Sequence, residues 1–174
     1  MGKRMIRIGQ GIDVHPFDES RPLILGGVRI SDRGGLAGHS DADVVLHAVT
    51  DALLGAAGAG DIGQYFPSED PRWKGADSSR FVREAKTVIA EMNAEISNID
   101  VTIIAQKPRI APQREAIAAS IAKLLDLPRG HVNVKATTTD HLGFIGRGEG
   151  ICAMAVVLID TGGAGDHTPI EGVL

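Results

Sequence analysis

Apolar and polar positions alternate at the start of the chain. Met5-Ile6-Arg7-Ile8 alternates weakly, and the pattern runs through Gly-rich sequence to Asp13-Val14-His15 before Pro16, which predicts an extended strand. Leu23-Ile24-Leu25 and Val28-Arg29-Ile30 flank Gly26-Gly27, a two-residue hairpin signal. From Ser40 the period changes. Val45, Val49, Ala52, Leu53 and Ala56 recur at helical spacing and Gly58 to Gly60 end the run, with Ser40 as the expected cap and an acidic residue three positions later.

Asp61 to Ala76 holds Gly, Pro, Asp and the single Trp, so it reads as a long loop of the kind that carries ligand contacts. A second helix is expected from about Arg80 to Asn93 and a third from Pro112 to Leu125. Val101 to Ala105, Val132 to Ala136 and Ile151 to Ile159 read as strands. The pattern shows no repeat, so residues 1–160 are expected to form a single domain. Residues 161–174 are expected to be a Gly-rich, mobile tail.

Composition narrows the class. The chain has 174 residues, 43% of them apolar but only 3% aromatic, so the core rests on Val, Ile, Leu and Ala. That suits sheets packed against Ala-rich helices. A formal charge of −4 gives no electrostatic footprint for nucleic acid, and an anionic ligand must be met by local donors or a metal. The lone cysteine, Cys152, lies in an apolar run and reads as an inert thiol in a reducing compartment. No signal-peptide core follows Lys3-Arg4, and the longest apolar run is too short for a bilayer, so the protein is expected to be soluble and cytoplasmic.

Asp13 and His15 stand two apart on a predicted strand and leave it on one face, while His47 lies early in the first helix. One carboxylate and two imidazoles suit zinc with its fourth position open. By spacing alone, three ordinary structural residues are the commoner explanation. Asp43 and Asp51 each lie one turn from His47, so either could hold its free ring nitrogen; for Asp43, stabilising the helix start is the plainer role.

Gly58 to Gly63 matches the dinucleotide-binding string but follows a helix rather than a strand, which excludes that reading. Thr137-Thr138-Thr139-Asp140, followed by Gly143, Gly146, Gly148 and Gly150, is either a phosphate- and cation-holding turn with Arg147 as a fork-shaped donor or a polar turn between strands. His39 reads equally as a phosphate donor or as an exposed loop residue, whereas Lys107-Pro108-Arg109, taken alone, reads as a solvated loop rather than a phosphate partner.

Taken together, these segments resemble the 2-C-methyl-D-erythritol 2,4-cyclodiphosphate synthase family. The likeness runs from about Arg7 to Asp160. It rests on Gly9-Gln-Gly-Ile-Asp13-Val-His15, His39-Ser40-Asp-Ala-Asp43, His47, Gly60-Asp61-Ile-Gly63, Asp100-Val-Thr-Ile-Ile-Ala-Gln106, Val132-Asn-Val-Lys-Ala-Thr-Thr-Thr139, Leu142-Gly-Phe144 and Gly146-Arg-Gly-Glu-Gly150. The resemblance implies an α/β sandwich, a mixed sheet packed on one side by helices. It also implies a homotrimer with active sites between subunits and sheets around a central channel that takes isoprenoid diphosphates, near Arg147 and Glu149.

By the same resemblance, Asp13, His15 and His47 are the zinc ligands. Asp140 matches the carboxylate, usually Glu in relatives, that holds a second cation, Mg²⁺ or Mn²⁺. His39 and Thr138 match the pair that polarises the reacting phosphates. Ser40, Asp61, Ile62, Gly63, Phe66, Pro67, Ser68, Glu69 and Asp70 match the methylerythritol-binding part; Ser68 stands where relatives often carry Asp. Ala105, Gln106, Lys107, Pro108, Arg109, Ile110 and Ala111, with Thr137, Thr139, Phe144 and Arg147, match the cytidine and phosphate pocket. The implied reaction closes a cytidine diphosphate substrate into a cyclic diphosphate with loss of CMP. A zinc hydrolase that activates water at the open position is the alternative. At this length no fused cytidylyltransferase is expected.

Overall fold

The architecture is that of a computed structural model in which residues 4–162 are described. Strand β1 (Ile6–Asp18) runs antiparallel to β7 (Gly150–Asp160), in register from Ile6 opposite Asp160 to Pro16 opposite Gly150. Strand β5 (Glu95–Ile104) flanks β7 antiparallel and pairs in parallel with β6 (Val132–Thr137). The short β4 (Gly35–Leu36) completes a mixed five-stranded sheet of order β4-β1-β7-β5-β6. Strands β2 (Leu23–Leu25) and β3 (Val28–Ser31) form a separate hairpin, turned at Gly26 and Gly27, both at positive φ as a primed two-residue turn requires.

Three helices cover one face of the sheet: α1 (Val44–Ala57), α3 (Ser79–Glu91) and α4 (Arg114–Leu125). Two short helices sit in loops, α2 (Ile62–Tyr65) and α5 (Gly143–Gly146). Val44, Val45, Val49, Ala52, Leu53 and Ala56 of α1 are buried in the core with Val101, Ile103, Ala153, Ala155 and Val157 of the sheet.

Gly9 and Gly11 explain how tightly α1 lies on β1. A Cβ on Gly9 would stand 1.9 Å from the Ala52 carbonyl oxygen, and one on Gly11 would stand 2.0 Å from that of Ala48. Alternation then puts Asp13 and His15 on the same helix-covered face. The opposite face inverts the usual rule. Ile6, Ile8, Ile12 and Val14 of β1 are exposed there, Ile8 at 67%, beside Val156 of β7. An apolar stripe of this kind marks a surface that another surface covers.

Several expectations shift. The first helix is capped by Asp43, not Ser40. The Asp43 side chain accepts from the amides of Val45 and Leu46 and also from those of Gly26 and Gly27, so one buried carboxylate ties the helix start to the hairpin turn. Burial pushes its pKa up to about 6 against the lowering pull of the Gly27, Leu46 and Gly26 amides. Strand β1 continues through Pro16 to Asp18. Strand β5 begins at Glu95, six residues before the expected start, because polar positions on its open face broke the apolar run. Thr161 is buried and exchanges hydrogen bonds with Met5. The rest of the expected mobile tail, 163–174, lies outside the described residues. Among the described residues, no helix is long and apolar enough to cross a membrane.

Candidate active site and metal centre

The pitch of β1 aims Asp13 and His15 at α1, and α1 returns His47 from its first turn. Asp13 Oδ2 lies 2.9 Å from His15 Nε2 and 2.9 Å from His47 Nδ1, and the two ring nitrogens are 3.2 Å apart. Ligands bound at about 2.0–2.1 Å around a tetrahedral zinc stand about 3.3 Å from one another, so the observed triangle is slightly tighter than a zinc ion needs and a small outward shift of the side chains would fit one. Among the described residues this is the one group of three or more His, Cys, Asp or Glu side chains that could hold a metal ion.

The far ring nitrogens agree. His15 Nδ1 lies 2.5 Å from the Ala37 carbonyl oxygen, which can only accept, so His15 carries a proton there, and in the neutral ring the Nε2 lone pair is left for a metal ion. Gly38 makes room for that ring, since a Cβ on it would approach His15 to 3.0 Å. His47 Nε2 faces the hydroxyls of Ser78 at 3.0 Å and Ser40 at 3.1 Å. Neither Asp43 nor Asp51 holds it: Asp43 is committed to backbone amides, and Asp51 accepts from the Ile62 amide at 2.7 Å.

With protons on the ring nitrogens that face Asp13, the three groups also satisfy one another directly. Burial pushes the Asp13 carboxyl up, but hydrogen bonds from His15 and His47 and their charge outweigh it and hold the group well below the usual carboxylate range. Burial lowers His15, while the hydrogen bond and charge of Asp13 and the Ala37 carbonyl raise it further, for a net rise.

Beside the triad opens a cavity of about 240 Å³ lined by His15, Gly38, His39, Ser40, His47, Ile62, Gly63, Phe66, Ser68, Trp73 and Phe81. Eight of these eleven belong to the expected sets: His15 and His47 to the metal set, Ser40, Ile62, Gly63, Phe66 and Ser68 to the methylerythritol set, and His39 to the phosphate-polarising pair. Phe66 packs on Phe81 at 4.5 Å and edge-on to Trp73 at 5.1 Å, which closes the far wall. Asp61 caps α2 through the Gln64 amide, and Asp70 is occupied by Arg72. Pro67, Glu69 and Asp70 do not line the cavity.

The other set gathers elsewhere. Ala105 donates to the Thr137 carbonyl at 3.0 Å, the His141 amide to Gln106 Oε1 at 3.3 Å, and Thr138 Oγ1 to Asp140 Oδ1 at 3.1 Å. Phe144 and Leu142 are exposed beside them, and Arg147 pairs with Glu149 at 2.6 Å. Lys107, Arg109 and Ala111 are exposed, Pro108 is half-buried, and Ile110 is buried in the core. This cluster sits at the ends of β5 and β6, whereas the triad sits on β1. Strands β7 and β5 intervene between β1 and β6, a lateral separation of about 14 Å at ~4.8 Å per strand. The two groups of expected site residues thus lie apart on the sheet.

Sequence reasoning missed Phe81, Gly38, Ser78 and Asp41. Phe81 lies in the stretch read as the second helix and Ser78 just before it, and their reach toward His47 depends on tertiary packing that no local spacing encodes.

The YgbB family matches residues 6–160. The 2-C-methyl-D-erythritol 2,4-cyclodiphosphate synthase of Geobacillus kaustophilus is 59% identical over 155 residues, spanning 89% of this chain and 98% of that protein. Among solved structures, the bifunctional IspDF from Campylobacter jejuni superposes with a TM-score of 0.88 at 45% identity, over 91% of this chain and 43% of that one. The CDP complex of IspF from Plasmodium falciparum does so with a TM-score of 0.77 at 38% identity, over 88% of this chain and 95% of that one. The mixed sheet, the helices packed on one of its faces and the match over nearly the whole described chain agree: this chain belongs to the YgbB family of 2-C-methyl-D-erythritol 2,4-cyclodiphosphate synthases.

Proposed function

We propose that this chain is a phosphorus–oxygen lyase that converts 4-diphosphocytidyl-2-C-methyl-D-erythritol 2-phosphate to 2-C-methyl-D-erythritol 2,4-cyclodiphosphate and CMP. The observation that carries this is the convergence of Asp13, His15 and His47 within 2.9–3.2 Å at the edge of the cavity lined by His39, Ser40 and Gly63. An oxygen of the 2-phosphate forms the new bond to the β-phosphorus. The bond from that phosphorus to the oxygen bridging it to the α-phosphate breaks, and CMP leaves with the electron pair.

Zinc on Asp13, His15 and His47, with Mg²⁺ or Mn²⁺ on Asp140, supplies charge neutralisation and Lewis acidity to anions that otherwise repel one another. His39 and Thr138 polarise the reacting phosphates. Ser40, Asp61, Ile62, Gly63 and Phe66 to Asp70 hold the methylerythritol so that its 2-phosphate faces the β-phosphorus, and proximity lowers the barrier. Ala105 to Ala111, with Thr137, Thr139, Phe144 and Arg147, hold the cytidine and its phosphates. No protein nucleophile is needed, in accord with Cys152, whose thiol burial pushes up.

The two half-sites favour a homotrimer in which one subunit's metal edge meets its neighbour's nucleotide edge. The apolar face of β1 and β7 then lies inside the assembly around the channel, where Arg147 and Glu149 would meet an isoprenoid diphosphate. Residues 1–160 act as a single unit in this scheme, in the cytoplasm.

The test is incubation with the diphosphocytidyl substrate in ¹⁸O-water. Equimolar CMP and unlabelled cyclic diphosphate should form, and EDTA should abolish both. Labelled oxygen in the product would instead mark a zinc hydrolase.

A further inference from the structure

Behind His47 runs a line of hydrogen bonds to which the reaction assigns no part. His47 Nε2 lies 3.0 Å from Ser78 Oγ. Ser78 is fully buried, its hydroxyl donates to Asp41 Oδ1, and its backbone amide donates to Asp41 Oδ2 at 3.1 Å. The Asp41 amide in turn donates to the Ala76 carbonyl at 2.9 Å, fixing the carboxylate against the segment that carries Ser78.

A hydroxyl has one proton. With that proton on Asp41, Ser78 turns only lone pairs toward His47, so the imidazole must donate at Nε2. In the neutral ring the lone pair then falls on Nδ1, which faces Asp13 Oδ2 at 2.9 Å and His15 Nε2 at 3.2 Å. Ser40 cannot set this direction, because its hydroxyl accepts from the Ala42 amide at 3.1 Å and keeps a rotatable proton. Ala37 does for His15 what Ser78 does for His47, with a carbonyl in place of a hydroxyl.

We propose that Ser78 and Asp41 are positioning residues that hold His47 in the tautomer and orientation in which Nδ1 binds the metal. A carboxylate behind a ligating histidine is a common device for this purpose; here a serine is interposed and relays the polarity. The inference rests on the zinc assignment made above.

The experiment is competition for zinc between the protein and a chromophoric chelator, with the metal-free melting temperature recorded for every variant. Ser78→Ala and Asp41→Asn should each weaken zinc binding about 10- to 100-fold. Because the two act as one relay, the double variant should bind no more weakly than the poorer single variant. Ser78→Thr, which keeps the hydroxyl, should stay within about threefold of the unaltered protein by the same reasoning. Zinc affinity that Ser78→Ala leaves unchanged, or losses that simply multiply in the double variant, would overturn the relay. A lowered metal-free melting temperature with unchanged affinity would make Ser78 structural and also overturn it. If the unaltered protein itself takes up no zinc, the metal assignment fails instead, and the two failures are distinguishable.

Discussion

At the scale of single residues, Asp13 joins two chemistries. Without an ion it is the partner of His15; with one it becomes a ligand beside it. The sign of the pH dependence separates the two states. The raised value of His15 means its contribution to metal-free stability is complete below its unfolded value of about 6.5 and is lost as pH rises through the folded value. The lowered value of Asp13 means its contribution is present above about 3.9 and is lost only as pH falls further. Metal binding runs the other way, because zinc needs the imidazoles neutral. The gap in melting temperature between zinc-loaded and metal-free protein should therefore widen from about pH 5.5 to about pH 8. Asp43 titrates in both forms and cancels in that difference. Calorimetry across the range checks this, and a constant gap would contradict metal binding at the triad.

At the scale of elements, Asp43 joins α1 to the β2–β3 hairpin. Asp43→Ala removes a helix cap and leaves the buried Gly26 amide and its neighbour Gly27 without partners. The expected loss is about 3–5 kcal/mol, measured by urea unfolding, well above the cost of a cap alone. A loss below about 1 kcal/mol would contradict the double role.

The same residues show what could be read in advance. The period of Val45, Val49, Leu53 and Ala56 announced α1, and Gly26-Gly27 announced its turn, because both signals are local. The cap was assigned to Ser40 because Ser and Asp cap equally well in sequence; both are buried, and only the folded chain shows that Asp43 is the one that meets the first-turn amides. The polar half of β5, Glu95 to Asp100, was unreadable because its open face carries Asn98 and Asp100 rather than apolar residues. The two groups of expected site residues stood out as motifs through resemblance. Their separation on the sheet did not, since strand order is a tertiary property.

At the scale of the whole molecule, the account requires one copy to complete another. Chains carrying His47→Ala and chains carrying Thr138→Ala should each be inactive alone. Unfolded together and refolded as mixed trimers, they should regain activity, because about a quarter of randomly formed interfaces pair two intact halves. Activity that stays absent in verified mixtures would place the whole site within one chain. The most direct measurement is a crystal structure with CDP, recorded with anomalous scattering at the zinc edge. The account predicts a zinc peak about 2.0–2.1 Å from Asp13, His15 and His47. It also predicts a diphosphate oxygen as fourth ligand and the cytosine held by Ala105 to Ala111 of a neighbouring copy. An absent peak at the triad, or CDP bound within one chain away from that ion, would contradict it.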